Sequence, residues 1–238
     1  MRTIPRVAVA VAGVVTAGLL AGCGVVDGGA RPGVAAEVGD TTIRLADVEE
    51  AAEDRCQIIE ELSGGQGSQP VSGARVRDEA LQHAVLREVA SQLAEEYDVE
   101  PSQLYDDAQA EIRRQLEGVD EDLADRAVVG LTSTDYFVDV LVQVGRDQLG
   151  LTESEDPGGQ RGFQRGMAVA QAWLEDHPVE TNPRFAAPVI AEDRVLTTRE
   201  ELSTAVSNFA RDALGAAEDP QAQDPEYAAS LPESQRCG

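Results

Sequence analysis

The chain is 238 residues long, with 44 acidic residues against 19 basic ones and a formal charge of −25 at pH 7. Such a balance argues against nucleic-acid binding, which needs clustered basic side chains on phosphates. Every basic residue is arginine, and the absence of lysine excludes a Walker A loop, a Ser-x-x-Lys nucleophile and a Schiff-base lysine.

Arg2 and Arg6 precede an apolar run from Val7 to Leu20, followed by small residues. That is the layout of an export signal, and the run is too short to span a bilayer comfortably. Leu20-Ala21-Gly22-Cys23 matches the bacterial lipobox, in which the peptide is cut before the cysteine and the thiol receives a lipid. On this reading residues 1–22 are a lipoprotein signal peptide and Cys23 is the lipidation site. The protein then sits at the cell membrane, lipid-anchored on its extracytoplasmic face. Each buried lipid CH₂ contributes about 0.8 kcal/mol to such an anchor. An ordinary signal peptide with a chance cysteine is the alternative. Loss of Arg2 and Arg6 makes the remaining chain still more acidic, which favours solubility and repels anionic headgroups, so the body stands off the membrane on a tether. Residues 23–33, Gly-rich and patternless, suit that tether.

Ala36, Val38, Thr42 and Leu45 surround a Gly39-Asp40 turn signal, which predicts a short hairpin or bent strand. From Ala46 the apolar spacing becomes helical through Val48, Ala51, Ala52, Cys56, Ile59 and Leu62, placing Cys56 on the buried face or at its margin. Ser63-Gly64-Gly65 stops this helix, and the following Gly/Ser-rich stretch through Gly73 reads as a loop. A long helix is predicted over roughly Ala74 to Tyr97. Pro101 breaks it, and Ser102 is a suitable N-cap for a helix to about Leu116, with Asp106 and Asp107 in its early turns. A short helix covers Glu121 to Val129. The next segment is ambiguous. Val138, Val140, Val142 and Val144 alternate like a strand, while Tyr136, Phe137, Val140, Leu141 and Val144 trace a helical face. Its length, with Ser133 as cap, favours helix. Another helix spans about Gln160 to Glu175, with Phe163, Met167, Ala170, Trp173 and Leu174 inward. Val189-Ile190 and Val195-Leu196 look like short strands around a turn, and residues 197–214 like a closing helix. Residues 34–215 thus form one mostly α domain with a small β element. Residues 216–238 are an acidic tail with Pro220, Pro225 and Pro232, of a composition that stays disordered unless stapled.

The staple is suggested by counting. With Cys23 given to a lipid, Cys56 and Cys237 remain as an even pair in an oxidising compartment, where a disulfide is the simple reading. Two unrelated thiols are the alternative. The loop closed is long enough for an effect of about 4–5 kcal/mol in the chain-entropy model.

Catalysis finds little support. No G-x-S-x-G elbow and no H-E-x-x-H occur. His83 is expected on a helix surface and His177 at a helix end, both in ordinary roles. The acidic clusters lack the ordered spacing and central glycine of a calcium loop. Trp173 is read as core. No catalytic residue, metal ligand or cofactor is assigned.

The stretch from Ala35 to Ala51 resembles the opening of the SurA/PrsA/trigger-factor-like chaperone domain, with Val38-Gly39-Asp40 in place of the Val-Asn-Gly element and Leu45-Ala46-Asp47-Val48 at the helix entry. The chain is also similar to small actinobacterial lipoproteins with a SurA N-terminal-like domain. In those, a "VNPR(F/Y)G" element follows the last long helix. Thr181-Asn182-Pro183-Arg184-Phe185 matches most of it, with Ala186 replacing the glycine, and Leu202–Ala210 resembles their closing segment. The resemblance implies a helical chaperone-like domain whose N-terminal strand meets strand pieces from near the C-terminus, which brings the first helix near the tail and supports the Cys56–Cys237 pair. Parvulin isomerase domains often accompany such modules, but residues 74–176 read as helices throughout. The expected function is therefore a chaperone-like protein holding unfolded exported polypeptides without isomerase activity, with an accessory envelope lipoprotein binding one folded partner as the alternative. An enzyme ranks last.

Overall fold

The computed structural model describes residues 31–62, 69–190, 195–198, 207 and 225–238. The signal segment, Cys23, most of the tether, the Ser63–Gly65 stop, the bulk of the closing helix and the first part of the tail lie outside the described residues.

The chain is mostly helical with small antiparallel sheets. Strand β1 (Val34–Val38) turns at Gly39-Asp40 into β2 (Thr41–Arg44), which runs directly into α1 (Leu45–Leu62). Gly39 sits at φ 54°, the left-handed region that a glycine enters without Cβ strain. Ala35, Ala36 and Val38 are fully buried. The long helix α2 (Gly73–Glu96) lies along the core and buries Val76, Leu81, Val85, Leu86, Val89 and Leu93. It is followed by α3 (Gln103–Gln115), α4 (Glu121–Leu131), α5 (Ser133–Leu149) and α6 (Gln160–Asp176). Ser102 caps α3 by accepting from the Leu104 N–H at 3.2 Å, as its position predicts. The buried Asp139 of α5 accepts from the Ser102 N–H at 2.9 Å and is held by the Ser102 hydroxyl and the Gln143 amide. One satisfied carboxylate thus fixes the α2–α3 connection to α5.

Ser133 does not cap α5 with its side chain. Its hydroxyl donates back to the Val129 carbonyl, and Thr132 Oγ1 donates to the Val128 carbonyl at 2.7 Å. Both hydroxyls are spent on α4, so α4 passes into α5 across a single residue with a 41° bend. The valine alternation in α5 is resolved by burial on several sides: Phe137, Val140, Leu141, Val142 and Val144 are all buried. No single described helix is long and apolar enough to cross a membrane.

Helices α5 and α6 make the most intimate contact in the bundle, and glycine permits it. A Cβ on Gly162 would fall 2.6 Å from the Val142 carbonyl oxygen, and Cβ atoms on Gly145 and Gly166 would meet the backbone of the facing helix. Gly162 and Gly166 lie four apart on one face, so the backbones pack against each other without intervening side chains. The Gly162 N–H also donates to buried Asp156 at 2.9 Å, and the Arg161 N–H does so at 3.3 Å. Arg146 of α5 reaches the same residue, donating to the Asp156 carbonyl and lying 3.6 Å from its carboxylate.

After α6 the chain enters β4 (Val179–Thr181), which pairs antiparallel with β1 in the register Ala36↔Thr181, Glu37↔Glu180 and Val38↔Val179. The sheet order is β2-β1-β4, with β1 central. Val189-Ile190 and Val195-Leu196 do not meet the N-terminal strand. They belong to β5 (Ala187–Ile190) and β6 (Val195–Thr198), which among the described residues pair with each other and not with β1. The partner of β1 is the shorter β4, whose three residues carry too little pattern to be read as a strand. The Asn182–Phe185 turn locks the junction. The Asn182 backbone N–H donates to the Ala35 carbonyl and its side-chain amide to the Val34 carbonyl, both at 2.9 Å. Phe185 then drops into the core.

The described part of the tail, residues 225–238, is ordered around the Cys56–Cys237 bond, the condition its composition sets for order. It forms α7 (Pro225–Ser230), a single 3₁₀ turn (Glu233–Gln235) and β7 (Arg236–Cys237). Strand β7 pairs with β3 (Val71–Ser72), inside the stretch read as loop, in the register Val71↔Cys237 and Ser72↔Arg236. Ala228, Leu231 and Cys237 are buried. An acidic segment packs here because it supplies its own apolar residues and a covalent attachment.

Two outcomes are expected from the α5–α6 contact. Gly162→Ala forces a methyl into a backbone contact and should destabilise by about 1–3 kcal/mol, the range for overpacking. Chemical unfolding measures it, and a loss below about 0.5 kcal/mol would mean that the helices stand further apart. The Asp156 carboxyl is held below the usual carboxylate range, first by the Gly162 N–H, then by the Arg161 N–H and the nearby arginine charges, against an opposing effect of burial. Its contribution to stability is therefore present above the unfolded carboxylate value of about 3.9 and is lost as pH falls through the lower folded value. Asp156→Asn should flatten the acid limb of stability against pH, whereas an unchanged limb would contradict this role.

Candidate functional site

Helices α1, α2 and α4 do not close completely upon one another. A cavity of about 210 Å³ lies between them, with Ser133 at the start of α5 also lining it. Spacing explains which residues face it. Helix α1 presents Ala51, Asp54, Arg55 and Ile58, and α2 presents Ala80, His83, Ala84 and Arg87. Both sets follow i, i+3, i+4, i+7, one helical face. Helix α4 adds Arg126, Ala127, Gly130 and Leu131. Alanines and a glycine stand where larger side chains would fill the space, so the walls are mainly apolar and the cavity stays open.

Three guanidinium groups surround this apolar interior. Arg126 bonds Asp54 through both Nε and Nη2, at 3.1 and 2.8 Å, the strong forked geometry of an arginine–carboxylate pair. Arg55 pairs with Glu79 at 3.1 Å, which also takes Arg75 at 2.7 Å. Arg87 differs. Its Nη1 donates to the Tyr105 hydroxyl at 3.0 Å, and its guanidinium lies over the Tyr136 ring, 5.0 Å from the centroid. Among the described residues no carboxylate lies within ion-pair distance of Arg87. The Tyr105 hydroxyl also meets Thr132 at 3.3 Å and accepts from Gln109 at 2.8 Å. Burial pushes this phenol up, but its hydrogen bond with Thr132, the bonds it accepts from Arg87 and Gln109 and the Arg87 charge outweigh burial and lower its pKa.

His83 is not on the open helix surface expected for it. It is half-buried in the cavity wall, because α4 packs across the α1–α2 pair and covers that face of α2. Burial pushes its pKa down and the Arg55 charge adds to this, while Glu79 and Asp135 oppose, so the imidazole is neutral at pH 7. Among the described residues its ring nitrogens have no hydrogen-bond partner. His177 does end a helix: it is the C-cap of α6, stacked on Trp173 with 4.2 Å between ring centroids. Trp173 is buried and donates to Glu96 at 2.7 Å.

Of the site residues read from sequence, the structure joins Cys56 and Cys237 as a disulfide, with Cα atoms 5.1 Å apart. Cys56 is half-buried at the margin of α1, and Cys237 is 1% exposed. The bond carries the tail across the N-terminal end of α2, where Gly73 faces the Gln235 carbonyl so closely that a Cβ would lie 3.1 Å from it. Cys23 lies outside the described residues. Among the described residues no group of three or more His, Cys, Asp or Glu side chains could hold a metal ion. The cavity was not anticipated. The i, i+3, i+4, i+7 set of small and charged residues on α2 was visible, but which helices would face it was not.

Comparison of the chain with protein-family models, with curated proteins and with solved structures gives no match.

The disulfide generates a direct expectation. Cys56→Ser and Cys237→Ser remove the same bond, so each should destabilise by a similar amount, on the order of 2–5 kcal/mol. The double variant should then cost little more than either single one. Equilibrium unfolding of the three variants measures this. Additive losses, or alkylation of both cysteines in the unreduced protein, would contradict the pairing.

Proposed function

We propose that the chain is a lipid-anchored extracytoplasmic binding protein, acting without catalysis, that captures one folded partner at the cell envelope. The observation that carries the choice of partner is the character of the described surface. Its exposed large apolar side chains are Leu62, Leu104, Val129 and Leu149, each on a different helix. Single exposed apolar residues are ordinary on a soluble surface, whereas a holder of unfolded chains needs a broad contiguous apolar area. The cavity between α1, α2 and α4 is compact, framed by arginines and small enough for one small group. Anchoring rests on the Leu20–Cys23 lipobox, and the acidic balance argues against nucleic acid as a partner.

A second reading is a chaperone-like protein that holds unfolded exported polypeptides without isomerase activity. The observation favouring it is the entry of β1 through a Gly-Asp turn into α1, together with the Asn182–Phe185 turn that bonds back to β1. This arrangement agrees with what the SurA N-terminal-like resemblance implies.

The two readings part in one pair of measurements. In-cell crosslinking should enrich one folded envelope protein above all others. Light scattering of several unrelated denatured clients should show little protection by the chain. Protection of most clients, without a dominant crosslinked partner, would overturn the proposal in favour of the chaperone reading. Cys23→Ser should release the protein from membranes and remove the lipid mass. A variant still bound to membranes with unchanged mass would refute the anchor.

A further inference from the structure

The cavity between α1, α2 and α4 has a chemistry of its own, independent of partner capture. It joins apolar walls to His83 and Arg87, two half-buried groups on one face of α2 that can bond a ligand, and to the buried Arg55 Nε, which has no partner among the described residues. His83 and Arg87 are four residues apart and so lie one above the other. His83 has no partner among the described residues. Arg87 bonds Tyr105 through Nη1 alone, and among the described residues its Nε and Nη2 have no acceptor. The other two arginines each hold a carboxylate, Arg126 with Asp54 and Arg55 through Nη2 with Glu79, though the buried Arg55 Nε is left without a partner among the described residues. Among the described residues Arg87 is therefore the arginine of this cavity that has no carboxylate within ion-pair distance. A guanidinium beside apolar surface favours an anionic acceptor, because charge-assisted hydrogen bonds are the strong ones.

We propose that this cavity binds a small aliphatic monocarboxylate, with its carboxylate between His83 and Arg87 and its hydrocarbon body against Ala51, Ala80, Ala84 and Ala127. Size sets the class. A cavity of about 150 Å³ accommodates benzene, so about 210 Å³ suits an acid of roughly six carbons. Charge narrows it. An amine meets three guanidinium groups. A phosphate dianion brings a second negative charge close to Asp54, Glu79 and Asp135, with no apolar part to fill the walls. The walls contribute binding through apolar burial, and the single cation selects one negative charge.

The test uses the full-length chain in bilayer nanodiscs, with empty nanodiscs as blank. Isocaproate, isohexanol and isohexylamine have nearly the same shape and differ in charge. Binding is followed by the His83 ring resonances in NMR titrations. Isocaproate should bind saturably, about tenfold or more tighter than isohexanol, as expected for gaining a charge-assisted hydrogen bond. Isohexylamine should not bind. Ala84→Leu fills the cavity and should abolish isocaproate binding. Arg87→Gln should bring isocaproate down to the isohexanol level while leaving isohexanol unchanged. Arg87 also supports Tyr105 and Tyr136, so each variant is first shown to melt cooperatively. If one does not, the three-ligand series on the unaltered chain decides. Equal binding of isocaproate and isohexanol would overturn the proposal, as would the absence of saturable binding or unchanged isocaproate binding by a folded Ala84→Leu variant. These results leave the crosslinked partner unaffected, so failure here is distinguishable from failure of the capture reading.

Discussion

Strand β1 is the constraint on which the arrangement depends. It is five residues long, its Ala35, Ala36 and Val38 side chains are buried, and it is central in its sheet, paired with β2 on one side and β4 on the other. The first pairing is local, closed by a two-residue turn. The second joins the start of the domain to the segment after α6, and it sets where the ends of the bundle lie. Loop closure over such a distance carries an entropic cost. It is offset by the strand ladder, by the two Asn182 bonds to Val34 and Ala35, and by burial of Phe185. Gln92 of α2 donates to the Val38 carbonyl at 3.0 Å, so the strand is also fixed to the longest helix. The cysteine pair adds a second long-range closure at the other end of α2, with a sequence separation of 181.

Small residues act in opposite ways in the two halves of the bundle. Between α5 and α6, Gly145, Gly162 and Gly166 remove side chains so that backbones meet, and no space remains. Between α1, α2 and α4, Ala51, Ala80, Ala84, Ala127 and Gly130 remove volume without allowing the helices to close, and a cavity remains. The difference is in the flanking residues. Around the cavity, Arg126 with Asp54 links α4 to α1, Arg55 with Glu79 links α1 to α2, and Arg87 with Tyr105 links α2 to α3. A rigid glycine contact beside an open alanine-lined space is consistent with a binding protein whose frame changes little on loading.

Much of the helical frame was legible because periodic apolar stripes, caps and breakers agree with one another in α1 through α6. Ser102 and Gly39 are examples in which a single residue type dictates the local backbone. The α5 segment was ambiguous for a physical reason: a helix buried on several sides loses the polar face that distinguishes its period, and its valines then alternate by accident. Strand β4 and the β3–β7 pair were missed because two or three residues hold no period, and their existence depends on partners far away in sequence. The cysteine pairing followed from arithmetic, not geometry. The cavity was the least legible feature. His83 reads as an ordinary polar position on α2, and only the packing of α4 across that helix makes it a wall. Charge reading has the same limit. Nineteen arginines in an acidic chain look dispersed, and the convergence of three of them on one apolar space is a property of tertiary structure.

Long-range closure through β1 is most directly tested by native-state hydrogen exchange of the full chain, read residue by residue. If β1 is the central strand tying the ends of the domain, the hydrogen-bonded amides of Ala36 to Val38 and of Val179 to Thr181 should exchange only through global unfolding. Their opening free energies should match those of Val85 and Val89 in α2. Asn182→Ala should lower both strands together. Rapid exchange of Ala36 to Val38 through local fraying, with α2 still protected, would contradict the account.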